Sequence, residues 1–215
     1  MKIPTLKLEL YKKNQKHFAQ ELGEALKNIG VAQVSGLEQQ LVDDLYGYME
    51  EHVDEMPSPN RNDYRGRKFY RQYWNFYDLR KISALHNLIN KIKKNIPKVR
   101  DNIYSAAASL YGPLKKSQEF IVFRYYKKGG LNYQEDKMAV NKHIDNKSQL
   151  TFAASASASG LEGMINRRWT DLQPENGHLL VWAGGDLESI SDGKVKAFCH
   201  RVQFPPTERW ALLYG

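Results

Sequence analysis

Glu119-Phe120-Ile121-Val122-Phe123-Arg124-Tyr125-Tyr126 opens a series of short segments, rich in β-branched and aromatic residues, that alternate with turns. The others run over 138–145, 149–154, 161–165, 178–183, 197–203 and 208–214. Side chains of this kind suit a pleated, half-buried surface. About seven such segments in roughly a hundred residues predict an antiparallel sandwich or barrel. The Ala-Ser alternation over 153–159 is expected to form a strand with small side chains.

Upstream of Gly112-Pro113 the period changes from two to that of a helix. Phe18, Leu22, Ala25, Leu26 and Ile29 recur at helical spacing, and Gly30 follows as a stop signal. Val31-Ala32-Gln33-Val34-Ser35 reads as a short strand. Leu41, Leu45, Tyr48 and Met49 mark a second helix, broken near Pro57-Ser58-Pro59-Asn60. Ile82, Leu85, Leu88, Ile89 and Ile92 share the face of a third, which Pro97 should end or kink because proline lacks an N–H and clashes with the preceding turn. Val99, Ile103, Ala107 and Leu110 carry the helical pattern on to Gly112. The expected plan is α+β, with a mainly helical part over 1–113 and a β-core over 114–215 in one domain.

Composition excludes several classes. A hydrophobic fraction of 41% and a charged fraction of 26% are those of a globular chain. No apolar run reaches the roughly 20 residues that span a bilayer, and Met1-Lys2-Ile3-Pro4-Thr5-Leu6-Lys7 lacks the apolar core of a signal peptide. A lone cysteine, Cys199, excludes an internal disulfide framework, so a cytoplasmic setting is expected. The net charge is +8, and residues 71–130 hold 13 basic against 3 acidic side chains. Such a region is either a solvated helix face or an attractor for an anionic small molecule, a nucleic acid or an acidic carrier protein.

His143-Ile144-Asp145 ends a predicted strand, where alternation turns His143 and Asp145 to one face and Ile144 to the other. An imidazole and a carboxylate on one face need one more histidine for the facial triad of non-haem Fe(II) sites. His200, in Ala197-Phe198-Cys199-His200-Arg201-Val202, is the best-placed candidate. His178 sits at a strand start, and His17, His52 and His86 lie in helical segments. A histidine and an aspartate two apart are usually surface residues, so the pair alone does not establish a metal site.

The order of motifs from His143 to Tyr214 resembles the isopenicillin N synthase-like branch of the Fe(II)/2-oxoglutarate oxygenases. The motifs are His143-Ile144-Asp145, Leu150-Thr151-Phe152, Gly160-Leu161-Glu162 and Arg168-Trp169-Thr170-Asp171-Leu172. They continue through Gly177-His178-Leu179-Leu180-Val181-Trp182-Ala183-Gly184, Ser191-Asp192-Gly193-Lys194-Val195-Lys196, His200-Arg201-Val202 and Glu208-Arg209-Trp210. The resemblance implies a double-stranded β-helix (jelly roll) with Fe(II) held by His143, Asp145 and His200. It gives Arg209, nine residues after His200, the distal carboxylate of 2-oxoglutarate, helped by Tyr126. O2 would be the oxidant, and a small substrate would be hydroxylated, desaturated or cyclised.

Two departures stand out. The family usually places serine two residues after that arginine, where this chain has Ala211. An Fe(II) oxidase that does not use 2-oxoglutarate is therefore the alternative, and a non-catalytic binding module on the same scaffold is a further one. Relatives also run on into helices that cover the pocket, whereas this sequence stops at Gly215. A more open pocket, or closure by a loop or partner, is the expectation. Nucleic-acid demethylation is disfavoured, because that branch places its arginines further beyond the last histidine than the 15 residues present here.

The segment from Asp63 to Tyr77 interleaves aromatics with cations. It reads as a loop packed on the barrel, a substrate lid or, less readily, a base-stacking surface. Arg71 and Tyr73 within it, together with Arg124, are the candidate substrate contacts. Cys199 is expected to be a buried structural thiol facing away from the metal, Arg201 structural, and Trp182 and Trp210 core.

Overall fold

Two packing problems shape the chain: helices with one apolar face, and strands that are apolar on both. The computed structural model describes residues 2–55, 60–61, 71–75, 79–114, 121–126 and 138–214, with backbone alone for 54, 60–61, 71–75 and 121. The strands are β1 (Thr5–Leu6), β2 (Val31–Ser35), β3 (Asn60–Arg61), β4 (Arg71–Asn75), β5 (Ile121–Tyr126) and β6 (Met138–His143). They continue with β7 (Leu150–Ala154), β8 (Leu161–Ile165), β9 (Arg168–Asp171), β10 (His178–Ala183), β11 (His200–Gln203) and β12 (Arg209–Tyr214). The helices are α1 (Leu8–Lys13), α2 (Gln15–Asn28), α3 (Gln39–Glu51), α4 (His86–Tyr111) and α5 (Gly185–Ile190).

An eight-stranded sheet has the order β1-β2-β10-β7-β12-β5-β4-β3, and a four-stranded sheet the order β6-β11-β8-β9. All pairings are antiparallel except β1 with β2. Strand alternation then splits each central strand between two cores. On β12, Trp210, Leu212 and Tyr214 join the helices, while Ala211 and Leu213 face the smaller sheet. Likewise Phe123 and Tyr125 of β5 face the helices and Tyr126 the inter-sheet core. This is the expected α+β jelly roll, its large sheet covered by helices on one face and by the small sheet on the other.

The helical layer is fixed by the residues that the periodicity marks. Phe18, Leu22 and Leu26 of α2, Leu41, Leu45 and Met49 of α3, and Ile89, Ile92, Ile96, Val99 and Ile103 of α4 are buried in one cluster with the large sheet. Gly30 ends α2 with φ +91, and an added Cβ would lie 2.5 Å from the Phe198 ring, so both backbone and space require glycine. A hydrogen-bonded triplet helps couple this layer to the sheet. The Tyr46 hydroxyl of α3 donates to Ser155 O (2.8 Å) and accepts from Leu212 N (3.1 Å). It fills the gap where β7 and β12 part beyond their Leu213–Ala153 pairing.

Several expectations change. Pro97 does not end its helix: α4 runs from His86 to Tyr111 with the proline inside. Buried Ile92 and Ile96 before it and Val99 and Ile103 after it lie on one apolar face, and that packing outweighs the lost hydrogen bond. The Ala-Ser stretch is a strand only to Ala154; beyond it Ser155 is claimed by Tyr46 and by Gln173 Nε2. The last histidine's strand begins at His200 rather than 197, and the strand predicted over 138–145 stops at His143. The elements α1, α5, β4 and β9 are ones that the sequence pattern does not announce. Of the cation-aromatic segment, 71–75 forms β4, and 63–70 and 76–77 lie outside the described residues, as does the break at 57–59.

Candidate metal centre

His143 ends β6 and pairs directly with His200, the first residue of β11. That register brings the rings to 4.3 Å between centroids. Asp145 follows β6 in a turn, so its convergence with His143 comes from the turn and not from strand alternation. One ligand atom from each of His143, Asp145 and His200 lies within 4.8 Å of the other two, and among the described residues this is the cluster suited to a metal ion. Asp145 Oδ1 is 3.8 Å from His143 Nε2 and 3.9 Å from His200 Nε2.

The surrounding hydrogen bonds aim these atoms. Thr151 Oγ1 (2.8 Å) and Trp182 Nε1 (3.0 Å) both donate to Asp145 Oδ2, leaving Oδ1 toward the histidines. Thr151 and Trp182 are themselves opposed across β7 and β10, so one cross-strand pair supplies both donors. His143 Nδ1 lies 2.8 Å from Asn141 O, and His200 Nδ1 3.2 Å from Phe198 O. A carbonyl at Nδ1 puts the ring proton there and leaves the Nε2 lone pair free to ligate. Burial lowers the His200 pKa, with Asp145 opposing and His143 adding to the effect, which favours the neutral, ligating imidazole. The donor set and its hydrogen bonds fit a non-haem Fe(II) ion.

The Asp145 turn is held from below. Its carbonyl accepts from Ser148 N (3.2 Å) and Gly185 N (3.0 Å). An added Cβ at Gly184 would lie 2.2 Å from Ser148 O and 2.6 Å from Asp145 O, a contact that only glycine permits. On the His200 side, Glu188 accepts from Ala197 N (2.8 Å) and Lys196 Nζ (3.0 Å), fixing the approach to β11.

Arg209 lies opposite Tyr126 across β12 and β5, its guanidinium carbon 5.1 Å from the ring centroid. It is 3% exposed, and its Nε donates to Ala158 O (2.9 Å). Among the described residues no carboxylate forms an ion pair with it. Burial depresses its pKa, Tyr126, Tyr46 and the Asp171 carboxylate oppose that, and Arg124 adds to it. A buried cation without a directly paired anion is costly, and a ligand carboxylate would relieve that cost.

A cavity of about 230 Å3 opens over the metal-type cluster, lined by Arg124, His143, Asp145, Thr151, His200 and Leu213 among others. Arg209 and Tyr126 are not in its lining. Arg124 stands opposite Ala211, the position where the family usually has serine. Backbone pairing sets Arg71 across from Tyr126 and Tyr73 across from Arg124.

The remaining expectations divide. Trp182 and Trp210 are core, as expected, but Trp182 also positions the carboxylate. That role is signalled in the sequence only by its place in Val181-Trp182-Ala183. Arg201 is structural, bonded to Glu162 (2.6 Å) and 4.0 Å from the Trp169 ring centroid. Cys199 is half-buried rather than buried. His17 pairs with Glu21, His52 stacks on Tyr48, and His178 bonds Asn176 O, all away from the cluster.

Residues 117–214 match the family model of the 2OG-Fe(II) oxygenase superfamily. No curated protein matches the sequence. Among solved structures, the chain is similar to the dioxygenase for auxin oxidation 1 of Arabidopsis thaliana in complex with 2-oxoglutarate. The TM-score is 0.80 and the identity 18%, over 99% of this chain and 91% of that one. It is similar to the rice dioxygenase for auxin oxidation (TM-score 0.75, 16% identity, 99% and 82% covered). It is also similar to a full-length Neurospora crassa protein crystallised in complex with alpha-KG (TM-score 0.76, 13% identity, 99% and 84% covered). At these identities the likeness is one of fold. The family match over 117–214 includes His143, Asp145 and His200. No helix among the described residues is long and apolar enough to cross a membrane.

Proposed function

We propose that this protein is an Fe(II)- and 2-oxoglutarate-dependent oxygenase of the isopenicillin N synthase-like branch, acting on a small anionic or carrier-bound molecule as one domain. His143, Asp145 and His200 hold the iron, and Arg209 with Tyr126 holds the distal carboxylate of 2-oxoglutarate. The observation that carries the reading is the Asp145 carboxylate, turned by Thr151 and Trp182 so that one oxygen faces the Nε2 atoms of both histidines.

When bound, the metal would activate O2, the oxidant, with 2-oxoglutarate as the reductant that is oxidised to succinate and CO2, so that a substrate C–H bond is oxidised as well. The protein's own residues bind, orient and exclude water. Arg209 offers a planar fork of donors in a dry setting, which suits a carboxylate better than a lysine would. The apolar wall of Leu213 and Ala211 limits water beside the cluster. Arg71, Tyr73 and Arg124 are the proposed substrate contacts. Small substrates agree with the proteins that share the fold, which include a dioxygenase for auxin oxidation and the Neurospora crassa protein, also crystallised with thymine.

The test is an anaerobic titration with Fe(II) and 2-oxoglutarate, watching the visible charge-transfer band of the chelate. The expected result is a band in wild type, none in His143→Ala, and a demand for at least tenfold more 2-oxoglutarate in Arg209→Ala. Ala211 motivates a second reading, an iron oxidase that does not use 2-oxoglutarate; iron bound without a band, and turnover without succinate, would establish it instead.

A further inference from the structure

Arg124 is a second guanidinium on the ligand-facing side of β5, and no contact among the described residues ties it into the fold. Its side chain lines the cavity over His143, Asp145 and His200. Its neighbour on β12 is Ala211, which offers neither a side-chain hydrogen-bond acceptor nor bulk to cover it, and its neighbour on β4 is Tyr73. Among the described residues it has no hydrogen-bond or ion-pair partner. Asp145 is the one acidic residue in the described cavity wall, and its two oxygens are engaged by Thr151 and Trp182 on one side and directed at the histidines on the other. The wall also carries Lys147, so its fixed cations outnumber its fixed anions. Arg201, by contrast, is paired with Glu162, and Arg209 does not line this cavity.

An unpaired guanidinium in a concave site selects for a planar anion, because it can give two parallel N–H bonds to a carboxylate. We propose that Arg124 is a second carboxylate-binding arginine of the metal cavity, distinct from Arg209, which makes the substrate an organic acid where the substrate supplies that carboxylate. This deepens the oxygenase reading and rests on it. The carboxylate can come from the substrate or from the keto-acid end of 2-oxoglutarate. The serine-to-alanine departure at 211 fits the proposal, since an alanine there leaves space for the arginine to reach the ligand.

The experiment uses the full-length protein with Zn(II) in place of iron, Arg124→Met and Arg124→Lys variants, and acetate as the minimal probe. Saturation-transfer NMR on the acetate methyl group, at saturating 2-oxoglutarate, reads the site; calorimetry reads 2-oxoglutarate itself. Equal melting temperatures confirm that the variants fold, and the lysine variant serves if the methionine variant does not. If the substrate supplies the carboxylate, acetate binds wild type saturably, weakens at least tenfold in Arg124→Met, and 2-oxoglutarate affinity is unchanged. If 2-oxoglutarate supplies it, its own affinity falls at least tenfold in that variant. Acetate and 2-oxoglutarate binding that are both indifferent to Arg124, or no saturable acetate binding with unchanged 2-oxoglutarate affinity, overturns the proposal. Repeating the acetate titration without metal or 2-oxoglutarate separates the two failures. Loss in Arg124→Met alongside a wild type that never binds 2-oxoglutarate would sink the oxygenase reading and keep the anion site.

Discussion

Thr151 and Trp182 both donate to Oδ2 of Asp145, and two donors from different strands hold the carboxylate more firmly than one. Partners that orient a metal ligand commonly contribute about ten- to a hundredfold in affinity. Thr151→Val keeps the shape and removes the hydroxyl, so its metal affinity should fall by roughly that factor while its secondary structure stays intact. Competition against a chelator, with circular dichroism alongside, measures both; an unchanged affinity would mean that Trp182 alone orients the ligand. The residue Tyr46 carries a pH dependence. Burial raises its phenol pKa, with Arg209 and the Leu212 amide opposing, so the folded form resists ionisation. The unfolded chain ionises near pH 10 while the folded one does not. The stabilisation is therefore complete below about pH 10 and is lost as pH rises beyond it. Urea midpoints at pH 9 and 11 should differ by less in Tyr46→Phe than in wild type.

Elements deliver these residues through contacts that leave no space. Gly184 closes β10 against the Asp145–Ser148 turn, and a methyl group there meets two carbonyl oxygens of backbone. Gly184→Ala should cost about 1–3 kcal/mol by overpacking and should also weaken metal binding, because the displaced segment carries Asp145. A melting curve and a metal titration on the same sample check the two effects. At this scale the sequence is readable wherever one face of an element is buried. The apolar rows of α2, α3 and α4 announce the helical layer, and the aromatic and β-branched runs announce β5, β7, β8, β10 and β12. It is opaque where tertiary contacts decide. Pro97 is carried by isoleucines and a valine on either side of it, and the Ala-Ser run loses its strand pairing to a tyrosine more than a hundred residues away. His143 and Asp145 converge for a reason the sequence does not show: alternation is expected to align them, and a turn pinned by Ser148 and Gly185 does so. The Trp182 bond cannot be seen in a residue that reads only as core.

Across the whole molecule, Tyr46 is a buried hydrogen-bonded tie between helices and sheet. Tyr46→Phe leaves Ser155 O and Leu212 N buried without that partner, at about 1–3 kcal/mol for each group left unsatisfied. In hydrogen exchange the Leu212 amide, protected in wild type, should exchange faster in that variant than its neighbours Trp210 and Ala211. Uniform protection would show that water replaces the hydroxyl.

The position of β12 has a consequence for how the protein is made. This strand lies between β7 and β5 in the middle of the large sheet, though it follows every other described strand in the chain. A ribosome that has released residues 1–208 has supplied β1-β2-β10-β7 and β5-β4-β3 as two half-sheets, without the strand that joins them. Each half presents an unpaired edge, the feature that invites pairing with other chains. The nascent polypeptide must therefore hold its helices and both edges apart from other molecules until Arg209 to Tyr214 emerge and zip the halves together, and its demand on chaperones lasts until that moment.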